Sequence, residues 1–141
     1  MEYDQTVWGP HFWFFIHTVG FTYPELPTEG EKKRAYTFIT SLEYFIPHKA
    51  ISENFAQLLD EYPVSSYLSS KESLLKWIHF IHNKINVRIG KQEIPYVEFI
   101  NDYNNLYKPK AILYHNQIKS KERYLYLTTL VLLIGFIIYK K

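Results

Sequence analysis

Apolar residues return every three or four positions along one segment after another of this chain, and prolines cut the segments apart, which commits the fold to packed amphipathic helices. A first helix is expected over residues 8–21, where Phe12, Phe15, Ile16 and Val19 share a spacing before Tyr23-Pro24 and Pro27 turn the chain. Thr28-Glu29-Gly30-Glu31 has the form of a capping box. It opens a second helix with Ala35, Phe38, Ile39, Leu42, Phe45 and Ile46 on one stripe as far as Pro47. Residues 48–62 carry Ile51, Phe55, Leu58 and Leu59 and stop at Pro63. Ser69-Ser70-Lys71-Glu72 offers another capping box for a long fourth helix with Leu74, Ile78, Ile81, Ile85 and Ile89 on one face and Gly90 at its end. Tyr96, Phe99, Ile100, Tyr103 and Leu106 fit a short fifth helix before Lys108-Pro109. The fold class is all-α, and 141 residues support one core with one site or interface.

Residues 124–139, YLYLTTLVLLIGFIIY, carry no charge and lie between Lys119, Lys121 and Arg123 on one side and Lys140-Lys141 on the other. A membrane helix needs about 20 apolar residues for a hydrocarbon core of roughly 30 Å. This run is shorter, but Lys and Arg snorkel, and Tyr124, Tyr126 and Tyr139 suit the interface. A single span in membrane lipid is expected. The competing reading is a buried terminal helix of a soluble protein. A span here inserts after synthesis as a tail anchor, leaving the domain on the side where the chain was made. Basic residues on both flanks say little about orientation. The expected organisation is a helical domain over 1–108, a basic linker over 109–123 and a transmembrane anchor over 124–139.

Net charge is +2, from 16 basic and 14 acidic residues, so no broad field exists to hold a polyanion, and nucleic acid is not an expected partner. The five glycines are scattered singly, which excludes a glycine-rich phosphate loop and leaves any nucleotide to bind between helices. Met1-Glu2-Tyr3-Asp4-Gln5 is acidic and polar where a cleavable signal needs positive charge and then an apolar run. Cysteine is absent, which removes disulfides, thiolate nucleophiles, iron–sulfur clusters and Cys-ligated zinc from these residues. A metal site from His79 and His82 with His48 is not expected, because no carboxylate stands beside the pair on the same helix face.

Three elements occur together in order: Trp8-Gly9-Pro10-His11-Phe12-Trp13-Phe14-Phe15-Ile16-His17-Thr18; then Tyr23-Pro24-Glu25-Leu26-Pro27-Thr28; then Trp77-Ile78-His79-Phe80-Ile81-His82-Asn83-Lys84-Ile85-Asn86 with Gly90-Lys91. Taken singly, each aromatic is better explained as core and each His or Asn as solvated or capped. Their combination resembles the Erv/ALR family of FAD-linked sulfhydryl oxidases, over roughly residues 6–107. The resemblance implies a four-helix bundle with a short fifth helix, FAD at the bundle's mouth, and a homodimer. Carried over position by position, Trp8, Gly9, Trp13 and His17 fall where the first helix packs on FAD. Trp77, His82, Asn83, Asn86 and Lys91 fall on the second cofactor motif, and Tyr103 falls near a cofactor-stacking aromatic. Spacing agrees in part: Trp13 and His17, like His82 and Asn86, are one helical turn apart and able to face one ligand.

The resemblance breaks at one place. Where the family opens its third helix with Pro-Cys-x-x-Cys, this chain reads Pro47-His48-Lys49-Ala50-Ile51, so His48 and Ile51 occupy the dithiol positions. Thiol exchange requires a thiolate attacking sulfur, and neither an imidazole nor a hydrocarbon side chain does this. The expected function is a membrane-anchored, catalytically silent relative that serves as a structural or interaction module and still has the frame for FAD. Small members of the family in large DNA viruses suggest a virion membrane and virion or capsid partners. The alternative is an active flavin-linked oxidase supplied with thiols by a partner chain.

Overall fold

The computed structural model describes residues 3–140, and among these every regular element is helical. Helix α1 (Gln5–Thr22) begins on Asp4, whose carboxylate accepts from the backbone N–H of Thr6 at 2.8 Å and from its hydroxyl at 2.7 Å. This cap starts the helix ahead of the apolar pattern. Pro10 lies inside α1, where its missing N–H removes the i→i−4 hydrogen bond to the Thr6 carbonyl. The helix stops at Tyr23 because Pro24 disfavours helical backbone before it.

Helix α2 (Glu29–Ser41) carries the capping box its sequence announced: the Thr28 N–H donates to Glu31 Oε2 at 2.7 Å, and the Glu31 N–H donates to Thr28 Oγ1 at 3.3 Å. The stripe expected to run on to Pro47 does not stay α-helical. Leu42–Phe45 tighten into a 3₁₀ turn, whose larger rotation per residue keeps Leu42 and Ile46 buried and swings Phe45 out to 70% exposure.

Helix α3 (Lys49–Glu61) buries Ile51, Phe55 and Leu58. Helix α4 (Lys71–Arg88) starts one residue later than the Ser69 box would place it. Ser70 is the cap, accepting from the Ser73 N–H at 3.2 Å, and Glu72 instead pairs with Lys76 at 2.6 Å. At the far end Gly90 takes φ 77°, its N–H donates to the Val87 carbonyl at 3.1 Å, and the Lys91 N–H donates to the Asn86 carbonyl at 2.8 Å. That pair of bonds is a Schellman stop, and it needs glycine at the left-handed position.

These four helices form the expected bundle. Ile16 from α1, Ile39 from α2, Phe55 and Leu58 from α3, and Leu74, Ile78, Ile81 and Ile85 from α4 are each at most 2% exposed. Each such side chain contributes about 1.5–3 kcal/mol on burial. Helices α1 and α4 approach closely at Gly20, where an added Cβ would lie 2.9 Å from both Ile78 Cδ1 and Leu75 Cδ1. The connections are tied as well: the buried Tyr23 hydroxyl donates to the Leu68 carbonyl at 3.0 Å, and Trp77 Nε1 donates to the Tyr62 carbonyl at 2.9 Å.

The chain divides into two compact units, one up to Tyr96 and one from Val97 onward. The second holds most of helix α5 (Tyr96–Leu106), the short fifth helix expected from the sequence, and helix α6 (Lys110–Tyr139). Residues 110–123, expected within a linker, are helical and run without a break into the apolar segment. Within α6, Gln117–Tyr139 is long and apolar enough to cross a membrane by length and composition, and none of it is buried.

Candidate functional site at the seam of two helices

The turn-apart pair on α1 meets α4 at one point. Trp13 stacks on His82 with ring centroids 4.1 Å apart and planes 12° from parallel, and His17 lies beside both, 5.9 Å from Trp13 and 5.0 Å from His82. His82 Nδ1 and His17 Nε2 stand 3.3 Å apart. Burial, reinforced by His79, pulls His17 down to about 4. Burial first, then the charges of His17, His79 and Lys91, pull His82 down to about 3. Both rings are therefore neutral at pH 7, so one donates its N–H and the other accepts through its lone pair. Trp13 and His82 keep partly exposed faces, while His17 is buried.

The start of α1 extends this aromatic surface. Trp8 meets Phe12 edge-on at 5.8 Å, Phe12 meets Trp13 edge-on at 6.1 Å, and Trp8 Nε1 donates to the Tyr3 carbonyl at 3.2 Å. Gly9 has open space where a Cβ would stand, so nothing in the chain's own packing asks for glycine there.

On α4 the expected residues separate. Asn86 is buried, and its carbonyl holds the N–H of Lys91 in the Schellman stop, so these two are coupled through backbone while Lys91 reaches solvent. Asn83 is also buried, but its amide grips the backbone of Ile94: Nδ2 donates to the carbonyl at 2.9 Å and Oδ1 accepts from the N–H at 3.0 Å. His79 Nε2 lies 2.8 Å from the same carbonyl, and its ring meets Tyr96 edge-on at 5.2 Å. This clamp fixes the loop that carries Lys91. Sequence reading passed over His79 as a partner in it, although its spacing of one turn from Asn83 was a usable signal. Trp77, 3% exposed, belongs to the hydrophobic core. Tyr103 lies in the second unit, its hydroxyl 3.2 Å from that of Tyr107.

At the head of α3, His48 is the N-cap residue and makes no side-chain capping bond, while Ile51 is 6% exposed within the core. The second dithiol position is thus a packing position.

Fold and site define a helical-bundle protein with a stacked aromatic and imidazole platform between two facing helices. Residues 10–104 match the Erv1 / Alr family, and the chain belongs to it. The chain is 40% identical over 104 residues to a probable FAD-linked sulfhydryl oxidase of Acanthamoeba polyphaga mimivirus, covering 73% of each. It is 30% identical over 96 residues to the FAD-linked sulfhydryl oxidase ERV2 of Saccharomyces cerevisiae, covering 68% of this chain and 48% of that one. It spans about half the length of such cellular relatives. Among solved structures, the core of yeast Erv1 matches with a TM-score of 0.64 at 23% identity, over 77% of this chain and 86% of that one. The FAD binding domain of Saccharomyces cerevisiae Erv1 matches with 0.60 at 25% identity, over 67% and 87%.

Proposed function

We propose that this chain is a membrane-anchored Erv1 / Alr protein that retains the frame for FAD and lacks the means of passing thiol electrons to it, so that it works as a structural or interaction module. One observation carries the reading: the chain contains no cysteine, and the two positions of the family's dithiol are an imidazole at a helix cap and a buried core isoleucine. No mixed disulfide forms without a thiolate.

The residues present fit FAD. The open space at Gly9 and the half-exposed Trp13–His82 stack offer a flat ring an aromatic surface, and neutral imidazoles bring no charge against it. Lys91 supplies a cation for a phosphate, placed by the Asn86 carbonyl and the Ile94 clamp. FAD would supply two-electron redox chemistry when bound.

The uncharged helix from 124 to 139 supports the anchor, and the mimivirus relative supports a role in a virion membrane with capsid or other virion proteins as partners. Exposed Val7, Phe14 and Phe15 on α1, at 66%, 43% and 56%, support a homodimer through that face. The test is oxygen consumption by the purified chain, loaded with FAD, in the presence of a small dithiol. No consumption above free flavin supports the module. Consumption above that level turns the reading to the enzyme fed with thiols from outside the chain.

A further inference from the structure

The uncharged part of α6 is short, and cations bound it at both ends. From 124 to 139 it measures about 24 Å at roughly 1.5 Å per residue. Lys119, Lys121 and Arg123 bound it at one end and Lys140 at the other, all exposed. At about 100° per residue, Lys119 and Arg123 project from one side of the helix and Lys121 from nearly the opposite side. The cations form a collar, so no tilt or rotation draws another turn into hydrocarbon without immersing one of them. Charges at bilayer depth are costly even when they snorkel.

Inside those limits the segment is suited to hydrocarbon. Thr128 donates to the Leu125 carbonyl at 2.9 Å, and Thr129 donates to the Leu125 and Tyr126 carbonyls at 3.0 and 2.9 Å, so both hydroxyls are satisfied within the helix. Tyr124, Tyr126 and Tyr139 sit at its two edges, where aromatic residues favour the headgroup level. The fully apolar stretch between those edges is shorter still.

From this we infer that α6 is matched to a thin bilayer: its partner is a membrane with a hydrocarbon core nearer 27 Å than the 32–33 Å of sterol-rich membranes. The inference rests on the anchor reading given above. A span about 24 Å long falls a few ångströms short of the first and roughly 8 Å short of the second, and mismatch costs a fraction of a kcal/mol per Å. The difference between the two membranes corresponds to an enrichment of about tenfold.

The full chain is offered to a mixture of density-labelled vesicles of dimyristoleoyl, dioleoyl and dierucoyl phosphatidylcholine, and the alkali-resistant fraction in each is measured after separation. A parallel series uses a variant with one turn of leucines inserted after Leu133. Enrichment of about tenfold in the thinnest vesicles over the thickest, with the optimum moved to thicker vesicles by the insertion, is the expected result. Alkali-resistant insertion that is equal across the series, or greatest in the thickest vesicles, overturns the matching and leaves the anchor standing. No alkali-resistant association with any vesicle overturns both.

Discussion

His82 Nδ1 and His17 Nε2 face each other at 3.3 Å under the plane of Trp13, so two helices are joined by one hydrogen bond between neutral imidazoles. In the unfolded chain both rings titrate near 6.5. In the fold, burial moves them to about 4 and about 3. Between those values and 6.5 the unfolded state binds more protons, so stability falls as pH falls through this window and the contribution is fully present above about 6.5. Urea unfolding in detergent should show the midpoint dropping between pH 6.5 and 4, and His82→Gln should flatten that dependence. A midpoint insensitive to pH in the unmodified chain rejects the neutral pair.

Added FAD should raise the thermal midpoint by mass action, with free ligand at a hundred times Kd contributing about 2.7 kcal/mol. For a domain of this size that is on the order of 10 °C. Trp13→Ala should abolish most of the shift, because it removes the stacked face, and Gly9→Leu should reduce it by filling open space without burdening the fold. Differential scanning fluorimetry of the three proteins reads this directly.

Asn83 holds the loop that carries Lys91 through two bonds to the Ile94 backbone. Asn83→Leu removes both bonds to Ile94 and should cost about 1–3 kcal/mol, the penalty for leaving buried polar groups unmatched. Hydrogen exchange at the Ile94 amide should accelerate while core amides such as Ile78 keep their protection. Uniform acceleration across the bundle would instead mark Asn83 as a general core residue.

Gly20 is small because α4 is close. Gly20→Leu places atoms where Ile78 and Leu75 already lie and should destabilise by about 1–3 kcal/mol in chemical denaturation. An unchanged midpoint would show that α1 and α4 separate freely.

Helical periodicity made most of this fold legible, since most of each expected stripe is buried, though Phe15 and Leu106 of the expected stripes are exposed, and the Thr28–Glu31 box formed as written. The misreadings were local. Sequence pattern places a stripe but does not show where an α-helix tightens, so Phe45 turned outward. Either of two adjacent serines satisfies a capping pattern, and Ser70 took the place given to the Ser69 box. For the candidate site, the family resemblance singled out Trp13, His17 and His82, turn-apart spacing agreed in part, and the fold brings these three rings together. The same motif did not show that Trp77 and Asn83 are held by the chain itself, because their partners, Tyr62 and Ile94, lie many residues away. The basic linker expected over 109–123 has helical backbone from Lys110 onward, a conformation that its charge pattern leaves open.

The most direct measurement of the central claim is the visible spectrum of the FAD-loaded chain under anaerobic conditions after addition of a dithiol, beside the His48→Cys, Ile51→Cys double variant. The account predicts that the flavin band of the unmodified chain persists, because no residue carries electrons from thiol to flavin, and that the double variant bleaches. Bleaching of the unmodified chain at a rate above that of free FAD would contradict it.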